Sequence, residues 1–112
     1  LDRAFYVAGA NNGLYRHKVG AAVVAVRRSG GLTTFNDLNH FLNYSEMMIP
    51  TSNYWNIIHG TAPGEVLQDE EGVQIMQVLG QNMAYLLKLI DHGKKSIEAP
   101  KKQKKTYTNF IR

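Results

Sequence analysis

Two stretches of this 112-residue chain carry side chains whose type and spacing could do chemistry. In Arg27-Arg28-Ser29-Gly30-Gly31, two guanidinium groups precede a hydroxyl and two glycines. Glycine lets the backbone approach a planar or anionic ligand, and a helix opening just beyond would present free N–H groups to it. The same residues also suit an ordinary strand-to-helix turn. The second stretch is Tyr54-Trp55-Asn56 with Ile57-Ile58-His59-Gly60. Large aromatics in a loop cover flat ligands or form subunit contacts, or they close a core. His59 is the histidine near that end; His17, His40 and His92 lie elsewhere, and no pair has the i, i+4 spacing of helix-borne metal ligands. We therefore expect no metal site. There is no phosphate loop, nucleophile elbow or carboxylate pair. With no cysteine, disulfides, thiolate metal sites and a cysteine nucleophile are excluded within these residues.

The element that must position the arginine–glycine turn is Gly20-Ala21-Ala22-Val23-Val24-Ala25-Val26. Its apolar run shows no alternation, which is the pattern of a parallel strand buried on both faces. A helical pattern follows from Thr33 to Ser45, with Phe35, Leu38, Phe41 and Leu42 on one side and Thr34 and Asp37 at capping-box spacing. Met47-Met48-Ile49, closed by Pro50, reads as a second strand, and residues 57–64 as irregular. The longest helical pattern begins at Asp69, with Glu70 and Glu71 complementing its positive end and Lys88 near the other. Its stripe includes Gly80, where a sheet could approach closely, and Gly93 reads as a left-handed cap. Leu1 to Ala8 reads as the last turns of a helix, ended by Gly9 and Asn11-Asn12-Gly13.

This order is the closing half of a doubly wound α/β domain, in which ligands sit beyond the carboxyl ends of the strands. Two strands do not make a sheet that stands alone, so a further strand is expected beside residues 20–26. The chain reads as a piece of a longer protein. Residues 1–93 form the C-terminal half-domain and residues 94–112 a basic tail. The net charge of +4 belongs to that tail, whose seven basic residues and one acidic residue stand against six basic and eight acidic before it. A nucleic-acid-binding domain spreads its charge over a folded face, so nucleic acid is not expected as a partner. The tail should make few contacts with its own core, and Tyr107, Phe110 and Ile111 should not be buried there. No apolar run approaches the roughly 20 residues that span a bilayer, so no membrane is expected and a cytoplasmic location is.

Several stretches together resemble the NADPH-dependent FMN reductase family. They are Leu1-Asp2-Arg3-Ala4-Phe5-Tyr6, Lys18-Val19-Gly20-Ala21-Ala22-Val23, Arg27-Arg28-Ser29-Gly30-Gly31 with Thr34-Phe35-Asn36-Asp37-Leu38-Asn39, and Ser52-Asn53-Tyr54-Trp55-Asn56 with His59-Gly60. Gln68-Asp69-Glu70-Glu71-Gly72, Leu79-Gly80-Gln81-Asn82-Met83-Ala84 and Thr108-Asn109-Phe110-Ile111-Arg112 complete the likeness. The resemblance implies a flavodoxin-like fold, represented here by its last two strands and their helices. It implies that Arg27, Arg28, Ser29, Gly30 and Gly31 edge the isoalloxazine of FMN, with NADPH as electron donor. Iron–sulfur flavoproteins, relatives in that family, carry a cysteine cluster upstream of this region. The expected function is electron transfer from NAD(P)H through FMN to an unidentified acceptor, possessed by the longer protein as a homo-oligomer. The alternative is a flavin-binding or assembly module of the same fold without turnover.

Overall fold

The computed structural model describes residues 1–110. Helix α1 (Asp2–Ala10) leads to strand β1 (Val24–Val26), helix α2 (Gly31–Tyr44), strand β2 (Ile57–His59), a 3₁₀ turn (Glu65–Gln68) and helix α3 (Glu70–Gly93). The strands pair in parallel, Val24 opposite Ile57 and Val26 opposite His59, and α2 lies on the crossover that parallel partners require. Among the described residues the chain is thus α/β, with a two-stranded parallel sheet and three α-helices.

Ile57 and Ile58 are successive strand residues, so their side chains leave opposite faces. A Cβ on Gly31 would stand 3.0 Å from Ile57 Cγ2, and one on Gly72 would stand 2.6 Å from Ile58 Cγ1. Helix α2 therefore packs on one face and α3 on the other. Phe5 of α1 joins Phe41 of α2 at 5.4 Å between ring centroids and Tyr15 at 4.9 Å. The buried apolar side chains are Ala8, Ala22, Val24, Leu42, Ile75 and Leu79.

Several local expectations are corrected. The apolar run 20–26 forms a regular ladder only over Val24–Val26, preceded by an isolated parallel bridge between Val19 and Met48. Residues 47–49 supply that bridge and no strand, because Pro50 has no N–H to continue the ladder. The strand proper lies at Ile57–His59, inside the stretch read as irregular. One face of β1 is open: Ala22 and Val24 are buried, but Val23 is 52% exposed and Ala25 is exposed, because α3 lies over β2. Helix α2 begins at Gly31, with Gly30 as its cap at φ 86° and no side-chain cap, so Thr34 and Asp37 fall within the helix. Gly93 is the last helical residue, not a left-handed cap. The chain stays right-handed at Lys94, and the N–H groups of Ser96 and Ile97 both return to the Gly93 carbonyl. Gly80 is exposed with nothing near it, and the glycine that admits close approach is Gly72.

The backbone of residues 18–26 bonds along one edge. The Lys18 carbonyl accepts from Met48 N–H, and the Gly20 and Val24 N–H groups donate to Met48 and Asn56 carbonyls. The Val26 carbonyl accepts from Gly60 N–H. All are even-numbered, so the N–H and C=O groups of Ala21, Val23 and Ala25 face the other edge. Among the described residues no strand pairs there.

The tail runs from Lys94, with Tyr107 78% and Phe110 91% exposed. Ile111, expected to behave like them, lies outside the described residues, as does Arg112. No helix among the described residues is long and apolar enough to cross a membrane.

Candidate functional site

At the carboxyl ends of both strands lies a cavity of about 350 Å³. The turn after β1 supplies Arg28, Ser29, Gly30 and Gly31 to its wall. Tyr54 and Trp55, from the loop before β2, form another side, and His59 and Asp69 a third. Arg27 is exposed and lies outside the wall. The two stretches singled out for chemistry thus meet in one cavity, although 22 residues of helix and loop lie between Gly31 and Tyr54.

Local physics accounts for the positions. Gly30 turns the chain left-handed at φ 86°, a conformation that L side chains resist, and so starts α2 immediately beside β1. Nothing lies within 4 Å of the position a Gly30 Cβ would take, so the backbone there is open to a ligand. Tyr54 and Trp55 pack on each other at 4.6 Å between ring centroids and remain about half exposed. Trp55 therefore does not simply close the core.

The loop carrying these aromatics is held by Asn56, only 4% exposed. Its Nδ2 donates to the Ala22 carbonyl at 3.0 Å, and its Oδ1 accepts from the Ser52 hydroxyl at 2.8 Å. Ala22 is even-numbered, so Asn56 occupies the rung of the ladder left vacant where the partner segment loops out.

Asp69 is the residue that sequence reasoning placed only as a helix start. Its Oδ1 accepts from Gly72 N–H at 2.9 Å, which caps α3. Its Oδ2 accepts from the main-chain N–H of His59 at 2.8 Å and lies 3.3 Å from His59 Nδ1. The carboxylate thus ties the end of β2 to the start of α3 and orients the imidazole. Only the folded chain brings the two residues, ten apart, into contact. The Gly72 N–H, followed by the His59 N–H and ring, holds the Asp69 carboxyl below its ordinary range. The N–H groups of Ala62 and Thr61 do the same for Glu65, and Arg16 for Glu46.

These three groups bind protons less readily folded than unfolded. Their contribution to stability is therefore complete above the ordinary carboxylate range near about pH 4 and is lost as pH falls through the lowered values. Thermal melts should show a Tm steady from neutral pH down to about pH 5 and falling below it. Asn at position 69 still caps a helix but has no proton to gain, so Asp69→Asn should start lower and fall less steeply. An identical acid slope in that variant would show that Asp69 carries none of the effect.

Neither a family model nor a solved structure matches the chain. An iron–sulfur flavoprotein of Methanocaldococcus jannaschii is 35% identical to it over 82 residues, covering 67% of this chain and 42% of the flavoprotein. The chain spans about two fifths of the length of this curated relative.

Proposed function

We propose that the chain forms the ring-side edge of a flavin site in a flavodoxin-like, doubly wound oxidoreductase. The activity is FMN-mediated electron transfer from NAD(P)H, with NADPH as the expected donor. The observation that carries this reading is the cavity at the carboxyl ends of the two parallel strands, walled by the Gly30-Gly31 turn and by Tyr54 and Trp55 of the loop that leads into β2. Helices on opposite faces of the sheet agree with such a fold, and likeness to a flavoprotein agrees with such a ligand.

The residues present suit the ring of FMN. Gly30 leaves the backbone bare toward the cavity, and no side chain caps the N-terminus of α2 by a hydrogen bond. Arg28 in the wall and Arg27 beside it would offset negative charge on a reduced ring. When bound, FMN supplies the hydride chemistry, and the protein supplies position and electrostatics. The aromatic pair walls one side of the cavity.

Gly30→Val should weaken FMN binding about 10-fold or more, read by quenching of flavin fluorescence, because bulk then fills the approach. The substitution also strains a left-handed residue, so the control is Gly64→Val. Gly64 has φ 82° and equally open surroundings but lies outside the cavity wall. Unchanged affinity in a folded Gly30→Val chain would remove this turn from the site. NADPH consumption by the flavin-loaded protein then separates an oxidoreductase from a flavin-binding module without turnover.

A further inference from the structure

The lysine-rich tail does not simply trail into solvent. Arg16 Nη1 donates to the Pro100 carbonyl at 2.8 Å and directs the chain back across the body. Lys102 comes to lie against Gly13, and Lys105 Nζ stands 5.5 Å from the centre of the Tyr44 ring and 5.4 Å from that of Tyr107. Between the tail and the ends of α1 and α2 runs a groove of about 1090 Å³. Its walls carry Tyr6, Tyr44, Tyr107, Lys102, Lys104 and Lys105. The three tyrosines each leave more than half of their surface exposed. Glu46 also lines the groove, where Arg16 Nε holds its carboxylate at 2.6 Å and Lys102 also acts on it, but Arg16 and the three lysines outnumber this one carboxylate.

This groove is distinct from the flavin cavity. It borders the C-terminal end of α2, whereas the cavity borders the N-terminal end, and 14 residues of helix span about 21 Å. Exposed aromatic rings interleaved with lysine ammonium groups along an open groove match one ligand chemistry. A single-stranded nucleic acid has bases to stack on the rings and phosphates to meet the ammonium groups. A duplex hides its bases, and a simple polyanion has none. The linear distribution of charge sets the tail apart from any folded face; the structure lays it against one and gives it partners of the right kind.

We propose that this groove binds single-stranded nucleic acid, with Tyr44 and Tyr107 stacking on bases and Lys102, Lys104 and Lys105 contacting phosphates. The inference does not rest on the flavin reading. The test uses the whole chain and a fluorescently labelled 12-nucleotide oligouridylate, read by anisotropy. Three phosphate contacts on a single strand weaken binding roughly 20-fold between 50 and 200 mM salt. Replacing the lysines together (Lys102→Gln, Lys104→Gln, Lys105→Gln) should abolish most of that salt dependence. Tyr44→Leu and Tyr107→Leu should each weaken the oligonucleotide about 10-fold while leaving dextran sulfate binding unchanged. These side chains are at the surface, so circular dichroism should remain that of the parent. No measurable binding at 50 mM salt would overturn the proposal. So would equal affinity for duplex RNA, or affinity indifferent to both tyrosine variants, which would leave only polyanion attraction.

Discussion

Asn56→Asp is expected to leave the chain largely unfolded at neutral pH, a far larger effect than any other change in the loop preceding β2. Asn56 is almost completely buried, and its Nδ2 donates to the Ala22 carbonyl at 3.0 Å. A carboxylate in its place sets two acceptors against each other and puts a charge where water cannot reach it. Removing a partner from a buried polar group costs about 1–3 kcal/mol, and an unpaired buried charge costs several kcal/mol. A domain of this size has only about 5–15 kcal/mol in total. Asn56→Ala isolates the first part: it leaves Ala22 unpaired and should cost about 1–3 kcal/mol in urea titrations. Asn53→Ala, at an exposed position three residues earlier, should be near neutral. Asn56→Ala and Asn53→Ala melting together would mean that the vacant rung at Ala22 needs no filling.

Asn56 also shows why the sequence was only partly legible. The apolar run 20–26 identifies a parallel strand because its composition is unusual by itself. Asp69 before two glutamates identifies a helix start, and that cap forms. Both signals are local. The break in the second strand is not: Pro50 stops the ladder after Met48, and the partner segment rejoins only at Ile57, so two short pairings replace one strand. Nothing in residues 57–64, rich in turn formers, distinguishes a three-residue strand from a loop.

The same contrast applies to the cavity. Glycines at 30 and 31 announce a turn, whereas the aromatics at 54 and 55 suit a ligand cover, a subunit contact or a closed core alike. Their meeting depends on how β2 and the loop leading into it register beside β1, which composition does not record. The contact of His59 with Asp69 depends on it too. The capping-box spacing of Thr34 and Asp37 was a true local signal that lost to a stronger one, since Gly30 at φ 86° starts the helix a turn earlier.

The second large effect is expected in hydrogen exchange along β1. The amides of Gly20 and Val24 are bonded to the neighbouring segment, and those of Ala21, Val23 and Ala25 face an edge on which no strand pairs among the described residues. Alternate amides of one continuous stretch should therefore differ in protection, by on the order of 100-fold in a dilute solution of the chain. Such an edge, flanked by exposed Val23 and without a charge of its own from Gly20 to Val26, is a template for another strand. We propose that in its working form a strand of another polypeptide segment occupies it. In concentrated solution, chains should instead pair edge to edge. Protection of Ala21, Val23 and Ala25 should then rise with concentration, together with the mass measured by light scattering. Val23→Lys places a charge on the open face beside that edge and should suppress the association while leaving the Val24 amide protected. A monomer whose odd-numbered amides are as slow to exchange as Val24 at every concentration would mean that the edge is already covered.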